Sequence, residues 1–155
     1  MRRHEMEIAD PRAIEAILQQ AMVCRVAMCD GDRPYVVPLT YGYADGCLFF
    51  HSAREGRKMD VLARNPKVCF EADLVEEWLP AEQPCAWSVR YRSVIGFGRA
   101  TLVDEPQEKK RALDVIMRHY GGSSYEYTEK ALASVAVVKV EVEHMTGKSS
   151  HRGAD

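Results

Sequence analysis

No two cysteines in this 155-residue chain have the CxxC spacing, and the five present (Cys24, Cys29, Cys47, Cys69 and Cys85) form an odd, scattered set. That argues against a disulfide framework and against a structural zinc site. Cys24, Cys47 and Cys69 lie inside apolar runs, as small reduced core residues do, so a cytoplasmic protein is expected. Long hydrophobic runs are also missing: none approaches the roughly 20 residues of a membrane helix. The start, Met1-Arg2-Arg3-His4-Glu5, has no apolar segment behind its charges, and no signal peptide is expected. There is no excess of one charge. Twenty-one basic and 23 acidic side chains give a net charge of −2, which argues against a nucleic-acid partner held by bulk electrostatics. GxSxG, HExxH and a Cys–His pair with a catalytic rationale are all absent, so no nucleophile or metallohydrolase centre stands out.

What is there fits one globular domain, with 46% hydrophobic and 28% charged residues. Asp10-Pro11 opens a helix in which Ile14, Ile17, Leu18 and Met22 follow helical spacing. Residues 23–29 and 33–43 read as strands around an Asp30-Gly31-Asp32 turn. Pro34 and Pro38 in the second of these imply an edge, a bulge or a ligand on one side. Ala44-Asp45-Gly46 makes a hairpin into a strand at 47–52. A helix at 56–64, with Met59 and Leu62 inward, stops at Asn65-Pro66. A strand at 67–73, a polar loop at 74–84 and a long strand at 87–103 follow, with Gly96 and Gly98 marking a bend or bulge. Asp104 is expected to cap a helix striped by Leu113, Ile116, Met117 and Tyr120 and ended by Gly121-Gly122. A last strand occupies 135–142. The expected fold is mainly β (α+β): a small antiparallel barrel of six to seven strands with three flanking helices. One domain spans 1–146, and a polar tail, 147–155, is expected to be disordered.

The stretch Phe49–Pro66, FFHSAREGRKMDVLARNP, carries the functional signal. A buried-looking strand runs into His51-Ser52, a glycine and then Arg57-Lys58 at a helix start. The first turn of a helix has unpaired N–H groups and a partial positive end, which favours an anion by about 0.3–1 kcal/mol. Two cations there oppose the dipole. A dianionic phosphate would offset that cost, since Arg grips two oxygens and Lys supplies a point charge. A solvated basic pair is the plain alternative.

This stretch resembles the phosphate-binding segment of pyridoxamine 5′-phosphate oxidase-like flavoproteins, in which an aromatic strand end leads to Arg-Lys, a leucine and Asn-Pro. Phe49-Phe50, Arg57-Lys58, Leu62 and Asn65-Pro66 stand at matching positions. The oxidases carry Ser where this chain has Gly56, and the connection to Arg57 is one residue longer here. The nitroimidazole-resistance branch is more similar, through RPYVVPLTYGYADGCLFFHSAREGRKMDVLARNP, CAWSVRYRSVIGFGRA and KKRALDVIMRHY in family order. The resemblance implies a split β-barrel, a homodimer and FMN at the subunit interface.

The same resemblance implies site residues. Arg57 and Lys58, with Ser52 near, would hold the phosphate. Val37, Pro38, Leu39 and Thr40 match the strand whose backbone lies along the flavin ring. Phe50 and His51 match the strand end beside flavin and ribityl chain. His51 is the candidate catalytic group, able to hydrogen-bond substrate or shuttle a proton. Tyr91 and Ser93 match positions that reach the flavin from the partner subunit, where the oxidases carry Gln and Arg; Arg90 and Arg92 are candidates to replace that lost cation. Trp78 and Trp87 read as core or interface packing. His4, His119, His144 and His151 read as surface residues.

The implied activity is transfer of electrons from a reduced nicotinamide or similar donor to a small acceptor, with nitroimidazole implied only by the resemblance. No metal, nucleic acid or membrane is expected. Two alternatives stand: a non-catalytic flavin, haem or deazaflavin binder on the same barrel, with His51 able to serve as an axial iron ligand, and an empty barrel used as an interaction module.

Overall fold

A computed structural model describes residues 4–150 of the chain. Helix α1, Pro11–Gln20, begins as its sequence dictates. The Asp10 carboxylate accepts from the Arg12 N–H at 2.9 Å, and Pro11 fills the first helical position, where no N–H is needed. Ile14, Ile17 and Leu18 form its buried face. Met22, expected on that stripe, lies past the helix end and is exposed.

The strands are β1 (Glu7–Ile8), β2 (Cys24–Asp30), β3 (Arg33–Leu39), β4 (Gly42–Ala44), β5 (Cys47–Ser52), β6 (Lys67–Leu79), β7 (Ser88–Leu102) and β8 (Ala136–Ser149). The other helices are α2 (Arg57–Arg64), α3 (Pro106–His119) and α4 (Glu129–Ser134). All eight strands pair antiparallel in the order β3-β2-β6-β7-β8-β5-β4, with β1 on β8. The path ends at β3 on one side and β4 on the other, so the sheet is curled but not closed. This is the mainly β, split-barrel class read from the sequence.

The interior follows from strand alternation. Val26 and Met28 of β2, Leu48 and Phe50 of β5, Val68 and Phe70 of β6, Val94 of β7 and Val138 and Val140 of β8 point into one core, which α1 and α2 cover. Val103, Ala112 and Val137 make a smaller cluster under α3. The two glycines of β7 have steric reasons. A Cβ on Gly96 would lie 2.2 Å from the Phe70 ring, and one on Gly98 would lie 2.3 Å from the Glu141 carbonyl oxygen. The β7–β8 register shifts at Phe97/Gly98, which is the expected bulge.

Several boundaries differ from the sequence reading. Among the described residues the count is eight strands, because 33–43 divides into β3 and β4 and Glu7–Ile8 adds a short strand. β6 continues through the expected polar loop to Leu79, pairing with β7 as far as Ser88. Partner hydrogen bonding there outweighs local polarity. Glu105, not Asp104, caps α3, accepting from the Gln107 and Glu108 N–H groups, since Pro106 takes the first helical position. Ala112 joins Ile116 on the buried face of α3 while Met117 is exposed. Among the described residues four α-helices form instead of three. Gly147, Lys148 and Ser149, read as tail, belong to β8: Gly147 pairs with Val94 and Ile8, and Ser149 is buried. Ser150 is held on Tyr91, its N–H donating to the Tyr91 carbonyl at 2.9 Å and its Oγ accepting from the Tyr91 N–H at 2.8 Å; the remaining 151–155, with His151, lie outside the described residues. Among the described residues no helix is long and apolar enough to cross a membrane.

Candidate functional site

The opening of α2 is built by Gly56. Its φ of 123° suits glycine, and it caps the helix without a side chain. Its carbonyl accepts the Asp60 N–H at 3.1 Å. Arg57, Lys58 and Met59 therefore begin a helix whose first N–H groups have no side-chain partner. Asp60 also falls in the first turn, so the local charge is two cations and one acid.

The two cations are anchored on opposite sides of the opening in the sheet. The Arg57 guanidinium carbon lies 4.5 Å from the centre of the Tyr35 ring on β3. Its Nε donates to Asp30 Oδ2 at 3.0 Å, while Arg64 Nη2 donates to Asp30 Oδ1 at 2.6 Å. The hydrogen bond from Arg57 is the main reason the Asp30 carboxyl is held below its usual range. Lys58 Nζ lies 5.4 Å from the centre of the Phe50 ring on β5. Lys58 is half-buried, desolvation lowers the pKa of its ammonium, and no carboxylate pairs with it among the described residues. α2 thus sets one cation on the edge strand β3 and the other on β5, the neighbour of the opposite edge strand β4.

The other sequence candidates distribute around this seat. Val37 and Leu39 are half-buried, and Pro38 and Thr40 are exposed, along or just beyond β3. β3 ends the sheet, so Pro34 and Pro38 occupy the edge position that tolerates a missing N–H. On β5, Phe50 faces the core and Ser52, half-buried, shares its side of the strand; exposed His51 shares the other side with Phe49, which packs on the Val103 cluster. His51 is thus turned away from Phe50 and Lys58. Tyr91 and Ser93 lie on β7, two strands removed from β3's neighbour. At about 4.8 Å per strand, β3 and β7 are roughly 14 Å apart. Ser93 also sits six residues along β7 from Arg99, about 20 Å at 3.3 Å per residue. Arg99 pairs with Lys67, at the end towards which the β2–β6 register carries Asp30. One chain therefore gathers Arg57, Lys58, Tyr35, Phe50 and Asp30, and leaves Tyr91 and Ser93 elsewhere.

Arg90 and Arg92 are committed to the hairpin arm, pairing with Glu77 at 2.9 Å and Glu76 at 2.6 Å. Trp78 and Trp87 are exposed on that arm. His119 is half-buried, its Nε2 2.9 Å from the Ala21 carbonyl oxygen, whereas His4 and His144 are exposed, the latter stacked on Phe97. Sequence reasoning missed Asp30, Tyr35 and Arg64. Arg57 and Arg64 are seven residues apart and so share a helix face, which is the one signal that could have paired them. Asp30 was legible only as a turn residue.

The family model described as pyridoxamine 5′-phosphate oxidase matches residues 10–149. A crystal structure of a Bacteroides thetaiotaomicron protein, proposed to confer 5-nitroimidazole antibiotic resistance, is 39% identical, covers 93% of this chain and 86% of its own, and superposes with a TM-score of 0.84. An FAD and haem binding protein from Mycobacterium smegmatis shares the fold at 18% identity, with 97% of this chain and 77% of that one covered and a TM-score of 0.85. An uncharacterized protein of Rhizobium meliloti is 29% identical over 114 residues, 61% of this chain and 75% of that one.

Proposed function

The chain belongs to the pyridoxamine 5′-phosphate oxidase family, and we propose that it is an FMN-binding redox protein, passing electrons from a reduced nicotinamide or similar donor to a small acceptor. The observation that carries this is Lys58: a half-buried ammonium on an aromatic ring, at a helix N-terminus, with no carboxylate partner among the described residues. A cation so placed is costly unless an anion joins it. A phosphate monoester fits, because a helix start without a side-chain cap, the Lys58 ammonium and an arginine whose bond to Asp30 uses Nε can together supply donors to a dianion.

When bound, FMN supplies the hydride and electron chemistry. This chain's residues hold and orient it. Arg57 and Lys58 bind the phosphate, with the Ser52 hydroxyl near. The edge of β3, Val37 to Thr40, offers backbone groups to the ring. His51, on the outer side of β5, acts on whatever covers that side, as a proton-bearing contact to substrate. Tyr91 and Ser93 are too far off in the same protomer, so their part in the site comes from a second copy, which makes the working unit a homodimer. The likeness to the B. thetaiotaomicron protein supports a nitroimidazole-type acceptor.

The absorption spectrum of the purified protein after incubation with FMN tests the reading. Two flavin bands that persist through gel filtration, in a particle of dimer size, are expected. A single intense Soret band would assign haem instead, and failure to take up FMN would leave an interaction module. Oxidation of a reduced nicotinamide in the presence of a nitroimidazole then separates an enzyme from a store or carrier.

A further inference from the structure

We propose that Asp30 is a positioning residue for phosphate recognition: it holds Arg57 by Nε alone and so presents the two Nη groups of that guanidinium to the ligand. This rests on the phosphate seat proposed above and adds a residue to it. A carboxylate facing a guanidinium commonly closes on it with two parallel hydrogen bonds. Here it does not. Oδ2 accepts from Arg57 Nε at 3.0 Å, and Oδ1 is drawn off by Arg64 Nη2 at 2.6 Å. The Tyr35 ring, 4.5 Å from the guanidinium carbon, supports the group from another side. An arginine is otherwise a floppy ligand for phosphate. Asp30, Arg64 and Tyr35 hold this one before any ligand arrives, and they leave its remaining donors unspent among the described residues.

The charge count agrees. Arg57, Lys58 and Arg64 less Asp30 and Asp60 leave a net positive formal charge at the seat, opposite in sign to a phosphate monoester. The arrangement favours a dianionic monoester over neutral riboflavin.

Asp30→Ala makes the proposal falsifiable, because charge and positioning pull in opposite directions. Deleting a carboxylate beside the seat would by charge alone strengthen the binding of a dianion. Losing the hold on Arg57 weakens it, by about three- to tenfold for one side chain released. FMN and riboflavin are titrated into wild type, Asp30→Ala, Arg57→Ala and the double variant. The expected result is a three- to tenfold loss of FMN affinity in Asp30→Ala, unchanged riboflavin affinity, and no further loss when Asp30→Ala is added to Arg57→Ala. Unchanged or tighter FMN binding by Asp30→Ala, or a loss that persists in the Arg57→Ala background, overturns the positioning role while leaving the seat intact. If Arg57→Ala itself binds FMN like wild type, the seat fails and the role of Asp30 fails with it.

Discussion

Lys58 Nζ rests 5.4 Å from the centre of the Phe50 ring, so the second residue of a helix touches the end of the strand that leads into it. Phe50 is fully buried, and the contact strips water from the ammonium without supplying a carboxylate. The chain tolerates a destabilising cation at a place where its ligand would need one.

Lys58→Met is therefore expected to stabilise the protein without its cofactor by about 0.5–1 kcal/mol while weakening FMN binding, the usual trade between stability and function. The sign has a pH signature. The Lys58 pKa is lowered in the folded state, so the unfolded chain binds more protons at high pH and wild-type stability rises as pH climbs towards the ordinary lysine range. Lys58→Met should flatten that rise. Urea unfolding at several pH values up to the onset of lysine titration checks it; a destabilised variant would contradict it.

Gly96→Ala is expected to destabilise the fold by about 1–3 kcal/mol, because its Cβ would lie 2.2 Å from the Phe70 ring in the centre of the core. Coupling it with Phe70→Leu should recover part of the loss, since the two share one space. Chemical denaturation of the single and double variants measures this.

The cysteines should separate by burial. Cys24 is buried and its thiol is pushed up to about 12, chiefly by desolvation, and burial also raises the thiols of Cys47 and Cys69. Cys29 and Cys85 are exposed. Alkylation of the native protein near pH 8 is expected to mark Cys29 and Cys85 first and Cys24 last, read by peptide mass spectrometry. Rapid labelling of Cys24 would show that the β2 core is not packed as described.

Much of this was written in local sequence. Asp10-Pro11 fixed the start of α1, the Asp45-Gly46 turn fixed the β4–β5 hairpin, and Gly96 and Gly98 announced the bulge in β7. Arg57 and Lys58 stood out because they oppose the helix dipole. What escaped was set by distant partners. β6 runs on to Leu79 because Ser88 to Tyr91 pair with it, and Gly147 joins β8 because Val94 and Ile8 flank it. Asp30 reads as a turn residue until folding brings it, 27 positions away in sequence, to Arg57. His51 could be placed beside Phe50 in the chain, but strand alternation sets the two side chains on opposite faces.

The phosphate seat itself is tested most directly by titrating the Arg57→Ala, Lys58→Ala double variant with FMN and with riboflavin. Charge-assisted hydrogen bonds contribute about 1.5–3 kcal/mol each, so FMN affinity should fall by about 100-fold or more, with riboflavin affinity and the unfolding curve little changed. FMN affinity equal to that of wild type would contradict the assignment of these two cations to the cofactor phosphate.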